Sequence, residues 1–115
     1  MIHLLIRNHR LGILLIALAG CLGNGCVSAN PQKFTAQVQA WVPLGTPVAE
    51  AQQTMTRHQF ECRRLTKDHP FNQYGEDYLD CDREQIRMHD WNVKLFLEDG
   101  KVSRYGPMTI DGRAL

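Results

Sequence analysis

The chain has 115 residues, with 13 Lys/Arg against 12 Asp/Glu and a formal charge of +1 when histidines are neutral. That balance excludes recruitment to nucleic acid or anionic lipid by bulk charge, and the length excludes two independent cores. Four cysteines in so short a chain raise the question of covalent cross-linking.

Met1 to Arg10 carries Arg7 and Arg10 and no acidic residue, and Leu11 to Ala19 is apolar apart from Gly12. This is the layout of a signal peptide. A helix of about ten residues rises only about 15 Å, half of the ~30 Å hydrocarbon core, so the segment reads as a removable address rather than a permanent span. It ends in Leu18-Ala19-Gly20-Cys21, which resembles the lipobox of bacterial lipoproteins at every position. The resemblance implies cleavage before Cys21, a diacylglycerol on its thiol and often an acyl chain on the new amino group. Cys26 follows Gly23-Asn24-Gly25 and lacks the apolar residue expected three places before a cut, so the lipid attachment is expected at Cys21. Two or three acyl chains anchor durably where one binds reversibly, so the membrane is the first expected partner. Leu22, not an acidic residue, follows Cys21, which resembles the default for export to the outer membrane with the domain facing the periplasm.

Removal of residues 1–20 leaves 95, enough for one small domain, and the loss of Arg7 and Arg10 leaves eleven Lys/Arg against the twelve Asp/Glu. Residues 21–33 are rich in turn formers and read as a flexible tether. The eleven residues from Leu22 to Gln32 have an end-to-end distance of about 18 Å, which holds the domain, residues 34–115, close to the lipid. Phe34 to Val42 fits a helical face through Phe34, Val38 and Trp41/Val42, and also alternates at period two; its alanine and glutamine content favours helix. Pro43-Leu44-Gly45 is a break. Thr46-Pro47 then predicts a helix from about Pro47 to Gln59, with Thr46 as cap, Glu50 in the first turn, and Val48, Ala51, Met55 and either His58 or Gln59 on one face.

Phe60 to Leu65 reads as a strand, Lys67 to Glu76 as a long turn region and Asp77 to Arg83 as a second strand. Cys62 and Cys81 both lie in these strands, whereas Cys26 lies in the tether, so Cys62–Cys81 is the expected disulfide of an exported protein. Facing each other in antiparallel register, they put Arg64 opposite Leu79. Cys26 is left unassigned among a free thiol, an interchain link and a modification. Trp91 to Glu98 is the clearest strand, with Val93, Leu95 and Leu97 on one face, and Asp99-Gly100 predicts a two-residue hairpin that sets Val102 opposite Leu97. Met108-Thr109-Ile110 reads as a short edge strand. The expected fold is α+β, two helices packed on a three- or four-stranded antiparallel sheet.

The lipidated cysteine, the tether, the turn Pro43-Leu44-Gly45-Thr46-Pro47 opening a helix, Phe60-Glu61-Cys62 and the Asp99-Gly100 hairpin resemble, in that order, the SmpA/OmlA (BamE-like) outer-membrane lipoproteins. The resemblance covers about Phe34 to Tyr105. It implies two helices on a three-stranded sheet and a place in β-barrel assembly; it assigns no binding residue, and the Cys62/Cys81 pair is not part of the pattern.

Chemistry-bearing residues do not form a recognisable constellation. His58, His69 and His89 with Cys62 and Cys81 lack paired metal-ligand spacing, so neither metal nor other cofactor is expected. A cysteine nucleophile needs a free thiol beside an imidazole and oxidised Cys62 cannot serve, so no catalytic residue is assigned and the chain is not expected to be an enzyme. The acidic run Asp77, Asp80, Asp82, Glu84 and Asp90 lacks the glycine and terminal glutamate of a calcium loop and reads as a solvated strand face opposite Arg63 and Arg64. Phe71 and Tyr74 sit in the turn region, where aromatic rings must pack or bind, and are the candidate partner contacts. The expected function is that of a non-enzymatic cell-envelope lipoprotein acting by contact with an envelope protein, as an accessory or assembly factor. The alternative is a small inhibitor or ligand-binding module using its sheet face, which a concave apolar face would favour and a charged one oppose.

Overall fold

The computed structural model describes residues 27–85 and 89–114, and within them two helices pack on one face of a five-stranded antiparallel sheet, an α+β fold. The signal segment 1–20, the expected lipid attachment at Cys21, and Cys26 lie outside the described residues. The elements are α1 (Pro31–Trp41), α2 (Val48–Arg57), β1 (Glu61–Leu65), β2 (Tyr78–Glu84), β3 (Asp90–Glu98), β4 (Lys101–Ile110) and β5 (Arg113–Ala114). Each strand pairs with the next in sequence, so the sheet is a simple meander.

Residues 34–42 are helical apart from Val42, which caps α1. Asn30 is extended and its side-chain oxygen accepts from the Lys33 N–H at 3.1 Å, while Pro31 occupies the first turn, where no N–H is needed. This start signal puts the helix origin inside the stretch assigned to the tether. Phe34, Val38 and Val42, four apart, form a stripe with no exposed surface. The chain is anchored even earlier. Val27 packs against the core, Gln37 Oε1 accepts from the Ser28 N–H at 2.9 Å, and the Trp91 indole N–H donates to the Ser28 carbonyl at 3.0 Å.

Helix α2 starts one residue later than Thr46-Pro47 predicts. Pro47 takes the capping position and Thr46 Oγ1 donates to the Pro43 carbonyl at 2.6 Å instead of capping. The reason is that this turn is drawn into pairing with β4: Val102 N–H donates to Thr46 O (2.8 Å), Gly45 N–H to Val102 O (2.7 Å) and Val48 N–H to Gly100 O (2.9 Å). Ala51 and Met55 are fully buried, and His58 at the C-cap stacks on Trp41 with centroids 3.7 Å apart. The helix ends without glycine. Gln59 takes a left-handed φ of +66°, with Phe60 N–H donating to Met55 O and Gln59 N–H to Thr56 O, each at 2.9 Å, the paired bonds of a Schellman cap.

The predicted register holds through the first hairpin, with Cys62 opposite Cys81 and Arg64 opposite Leu79, and the two cysteines form a disulfide. Asp99 (φ +53°) and Gly100 (φ +74°) make the tight turn between β3 and β4, and Leu97 faces Val102. Two register shifts then intervene, between Phe96 and Leu97 and between Val93 and Leu95, each giving β4 one residue more than β3. The helix-facing residues of β4 are therefore Val102, Tyr105, Met108 and Ile110, spaced three, three and two apart. Met108-Thr109-Ile110 is not a separate edge strand but the end of β4, paired with Trp91 to Val93. The edge is β5, reached by a second Asp-Gly turn at Asp111 (φ +54°) and Gly112 (φ +76°). Its addition raises the strand count above the expected three or four.

Between sheet and helices lies the main core: Phe34, Val38, Val42, Ala51, Met55 and Phe60 against Leu79, Cys81, Trp91, Val93, Leu95, Leu97, Val102, Met108 and Ile110. Full burial of each larger side chain contributes about 1.5–3 kcal/mol. Tyr105 O–H donates to the Val42 carbonyl at 2.8 Å and so ties β4 to the end of α1. Arg83 shares this side of the sheet. It is 5% exposed, donates to the His58 carbonyl at 2.8 Å and lies over the Trp91 ring, and burial lowers its pKa.

Two measurements check this account. Reducing Cys62–Cys81, whose ends are 19 residues apart in sequence, is expected to lower the unfolding free energy by about 3 kcal/mol, read as a shift in urea midpoint. A change near zero would mean that the bond removes little conformational entropy from the unfolded chain. Burial, then the charges of Arg57 and Arg83, lower the His58 pKa from the ordinary 6.5. Because the unfolded chain then binds the proton more readily, this contribution to stability is complete above pH 6.5 and declines as pH falls toward the folded value. His58→Gln is expected to flatten that part of the pH–stability profile.

Candidate protein-contact face

The strand period sends alternate residues to the face of the sheet that carries no helix, and the register arranges them in rows. Leu65, Tyr78, Phe96 and Arg104 stand side by side across β1 to β4. The next row is Arg63, Asp80 and Lys94, and the one beyond it Glu61, Asp82, Asn92 and Thr109. The outer face is thus divided, aromatic at one end of the strands and charged to polar toward the other.

Leu65, Tyr78 and Phe96 are 3%, 2% and 3% exposed, a second small core on the outer face. The segment 66–77 covers it. Tyr74 stands edge-on to both Tyr78 and Phe96, each with centroids 5.2 Å apart. Phe96 is sandwiched further by the Arg104 guanidinium, 3.8 Å from its ring centroid, and Arg104 is ion-paired with Glu76. Gly106 makes the ring's position feasible, since a Cβ there would lie 2.4 Å from Phe96 Cε2 and 3.0 Å from the Lys94 backbone oxygen.

Asn72 organises the covering segment. Its side-chain N–H₂ donates to the carbonyls of Thr66 (2.8 Å), Glu76 (2.7 Å) and Leu65 (3.3 Å), and its Oδ1 accepts from the Tyr74 and Gly75 N–H groups at 2.9 and 3.1 Å. Asp77 Oδ1 accepts from the Lys67 N–H at 2.8 Å and closes the base. His69 Nδ1 accepts from the Phe71 N–H at 3.1 Å, and the two rings lie 5.6 Å apart. Phe71 is nevertheless 69% exposed, whereas Tyr74 is 38% exposed.

Phe71 and Tyr74, the two candidate contacts, are therefore brought together, and with Arg63, Leu65, Gln73, Tyr78, Asp80 and Lys94 they line one cleft of about 360 Å³. Their roles differ: Tyr74 roofs the outer core, and Phe71 projects from it. A broader depression of about 540 Å³ follows the solvent side of α2, lined by Ala49, Gln52, Gln53, Thr56 and Arg57. It brings together methyls, amides and one guanidinium, and none of the residues singled out from the sequence.

The acidic run departs from the reading as one solvated face. Asp80 is 8% exposed, with Oδ1 2.8 Å from the Asn92 amide and its carboxylate 3.7 Å from both Arg63 and Lys94. The neighbouring strands crowd it, and these partners offset the cost of burying its charge. Asp82, Glu84 and Asp90 are exposed. Arg64 pairs with Asp77 at 3.5 Å. Burial, then the Asp80 charge, raise the Tyr78 pKa, so the phenol stays protonated. His58, His69 and His89 stand at separate places in the fold, and among the described residues no group of three His, Cys, Asp or Glu side chains converges.

Comparison with protein-family models, with characterised protein sequences and with solved structures finds no match to this chain. Around the two candidate contacts, sequence reasoning missed Phe96, Arg104 and Gly106, which carry no local signal; Asn72 is legible only as a turn former, two residues before Tyr74 and three before Gly75.

The arrangement predicts a contrast among three variants, measured by denaturant unfolding. Phe71→Ser is expected to change stability by less than about 0.5 kcal/mol because the ring is exposed. Asn72→Ala, which strips partners from the covering segment, is expected to cost about 1–3 kcal/mol, and Phe96→Ala about 3–5 kcal/mol. A cost at Phe71 equal to that at Phe96 would make the projecting ring a structural element.

Proposed function

We propose that this chain is a non-enzymatic, acyl-anchored cell-envelope lipoprotein, held at the outer membrane on the periplasmic side by lipid on Cys21, that acts by protein contact as an accessory factor in envelope assembly. The observation that carries the contact reading is Phe71, 69% exposed on a segment pinned by the five hydrogen bonds of the Asn72 side chain. Held on an ordered loop, an exposed apolar ring contributes little to folding and is available to a partner as an aromatic anchor. The cleft beside it is lined by Arg63, Gln73, Asp80 and Lys94 as well as by the rings, and its exposed lining is mostly polar, which suits a polar or charged group of a partner segment next to the Phe71 ring.

The anchoring reading rests on Leu18-Ala19-Gly20-Cys21 and the apolar run before it. The assembly role rests on the layout shared with the SmpA/OmlA (BamE-like) lipoproteins; the two-helix layer agrees with that layout, while the five-stranded sheet and the disulfide depart from it. The inhibitor or ligand-module alternative called for a concave apolar sheet face, and the outer face instead alternates an aromatic row with a charged one.

Two linked experiments test the proposal. The intact mass of protein extracted from membranes is expected to lack residues 1–20, to carry diacylglycerol and acyl chains, and to gain the mass of hydrogens on reduction. A photo-crosslinking residue at position 71 is expected to give discrete adducts in the envelope, and one at Gln52 on the solvent side of α2 is expected to give none. An unmodified mass would refute the anchor; equal crosslinking from both positions, or none, would refute the contact face.

A further inference from the structure

β1 is an outer strand of the sheet, and among the described residues no strand lies beyond it. Hydrogen-bond parity decides which of its backbone groups are left over. Leu97 N–H donates to Asp77 O at 2.9 Å, so Asp77, Leu79, Cys81 and Arg83 bond to β3, whereas Tyr78, Asp80 and Asp82 bond to β1. Their partners Leu65, Arg63 and Glu61 thus direct their N–H and C=O groups to β2. Cys62 and Arg64 face Cys81 and Leu79 as non-hydrogen-bonded pairs, and the 4.0 Å Cα separation of Cys62 and Cys81 agrees with the short spacing of such a pair. The N–H and C=O groups of Cys62 and Arg64 therefore point out of the sheet at its free edge.

The fold closes this edge at both ends. Phe60 N–H is taken by the Met55 carbonyl in the cap of α2, and the Thr66 carbonyl accepts from the His69 N–H and the Asn72 side chain. Between these stops the side chains carry a charge pattern. Arg63 on the outer face and Arg64 on the helix side are 64% and 43% exposed, and their ion-pair partners, Asp80 at 3.7 Å and Asp77 at 3.5 Å, both come from the β2 side. Lys94 also lies 3.7 Å from Asp80, so that carboxylate is shared. Glu61, at the start of the strand, is exposed.

A second copy of this chain does not fit the edge. The antiparallel self-pairing that uses all the free groups is centred on Arg63 and sets Arg63 directly against Arg63, a like-charge pair. Centring on Cys62 would pair Arg63 with Glu61 but needs the Phe60 N–H, which is already bonded. A foreign strand meets neither obstacle when it carries acidic residues opposite Arg64 and Arg63 and a basic one opposite Glu61.

We infer that β1 is a docking edge for an extended segment of another protein, which adds to the sheet as a further antiparallel strand through the backbone groups of Cys62 and Arg64 and presents adjacent acidic side chains to Arg64 and Arg63. Main-chain hydrogen bonds hold the segment, and the charges set its register. Arg63 and Leu65 also line the cleft beside Phe71, so the added strand borders the contact face proposed above. The docking edge goes beyond that face and needs neither the Phe71 ring nor the acyl anchor.

The test uses the full chain in detergent, read by amide hydrogen exchange, and a short synthetic peptide with the run Glu-Glu-Val-Lys in strand-forming sequence, at millimolar concentration. In the inferred register the glutamates face Arg64 and Arg63, the valine faces Cys62 and the lysine faces Glu61. The peptide is expected to slow exchange several-fold at the Cys62 and Arg64 amides and far less at Arg63, which is already bonded to Asp80. N-methylation of the valine, whose N–H donates to the Cys62 carbonyl, is expected to abolish the effect; N-methylation of the second glutamate, whose N–H points to solvent, is expected to leave it. A peptide with lysines in place of both glutamates is expected to protect neither amide. No protection, equal protection by the lysine peptide, or insensitivity to valine N-methylation overturns the inference. Protection that grows with protein concentration in the absence of peptide makes a second copy the occupant and overturns it too. Crosslinking from position 71 is read separately, so the contact face and the docking edge fail independently.

Discussion

The pairing of β3 with β2 on one side and β4 on the other is the constraint on which the rest of the molecule depends. Because successive side chains of a strand point to opposite faces, this one register decides both surfaces at once. It sends Trp91, Val93, Leu95 and Leu97 under the helices and sets Phe96, Lys94 and Asn92 on the other side. A slip by a single residue would put Lys94 in the main core and Leu95 in the outer cleft. The Asp99-Gly100 turn fixes β3 against β4, and the Cys62–Cys81 bond fixes β2, the other neighbour of β3, against β1.

Everything on the helix side serves to close that sheet. Phe34 and Val38 on α1 and Ala51 and Met55 on α2 present stripes of matching period, and the turn between the helices joins β4 by backbone hydrogen bonds at Gly45, Thr46 and Val48. The stack of His58 on Trp41, and Arg83 reaching the His58 carbonyl, close the margin at the end of α2. On the outer side no second layer exists among the described residues, and the segment 66–77 covers only the aromatic end. A small domain thereby keeps a projecting apolar ring on a rigid mount.

Local signals were legible at several places where the backbone demanded a special residue or a strict period, though not at Gln59, which takes a left-handed φ with no glycine to announce it. Asp99-Gly100 announced its hairpin, two cysteines in neighbouring strands announced their register, and the spacing of Phe34, Val38 and Val42 announced a helix even though period two also fitted. Asn30-Pro31 and Asp111-Gly112 carried signals of the same kind and were passed over, the first because turn formers around it suggested a tether, the second because Met108 to Ile110 already looked like a terminal strand. The two bulges of β4 had no local signature: spacing of three between Val102, Tyr105 and Met108 is neither strand nor helix period, and the extra residues are defined only by what β3 places opposite them. Burial of Asp80 was likewise invisible, because it depends on Asn92, Lys94 and Arg63 from flanking strands. Of the candidate site, Phe71 and Tyr74 were legible as misplaced aromatics in a turn region. Their platform was not, since Tyr78 and Phe96 lie in apolar strand sequence that reads as ordinary core.

The functional account joins a chemical address at the N-terminus to a contact corner at the far end of the fold, and the corner is the part that the fold itself motivates. Hydrogen exchange and side-chain oxidation compared between the protein in native envelopes and the same protein isolated in detergent test it most directly. The account predicts protection in the envelope confined to residues 66–77, to the rings of Phe71 and Tyr74 and to the free edge of β1, with α1 and α2 unchanged. Protection over the helices instead, or no difference anywhere, would contradict it.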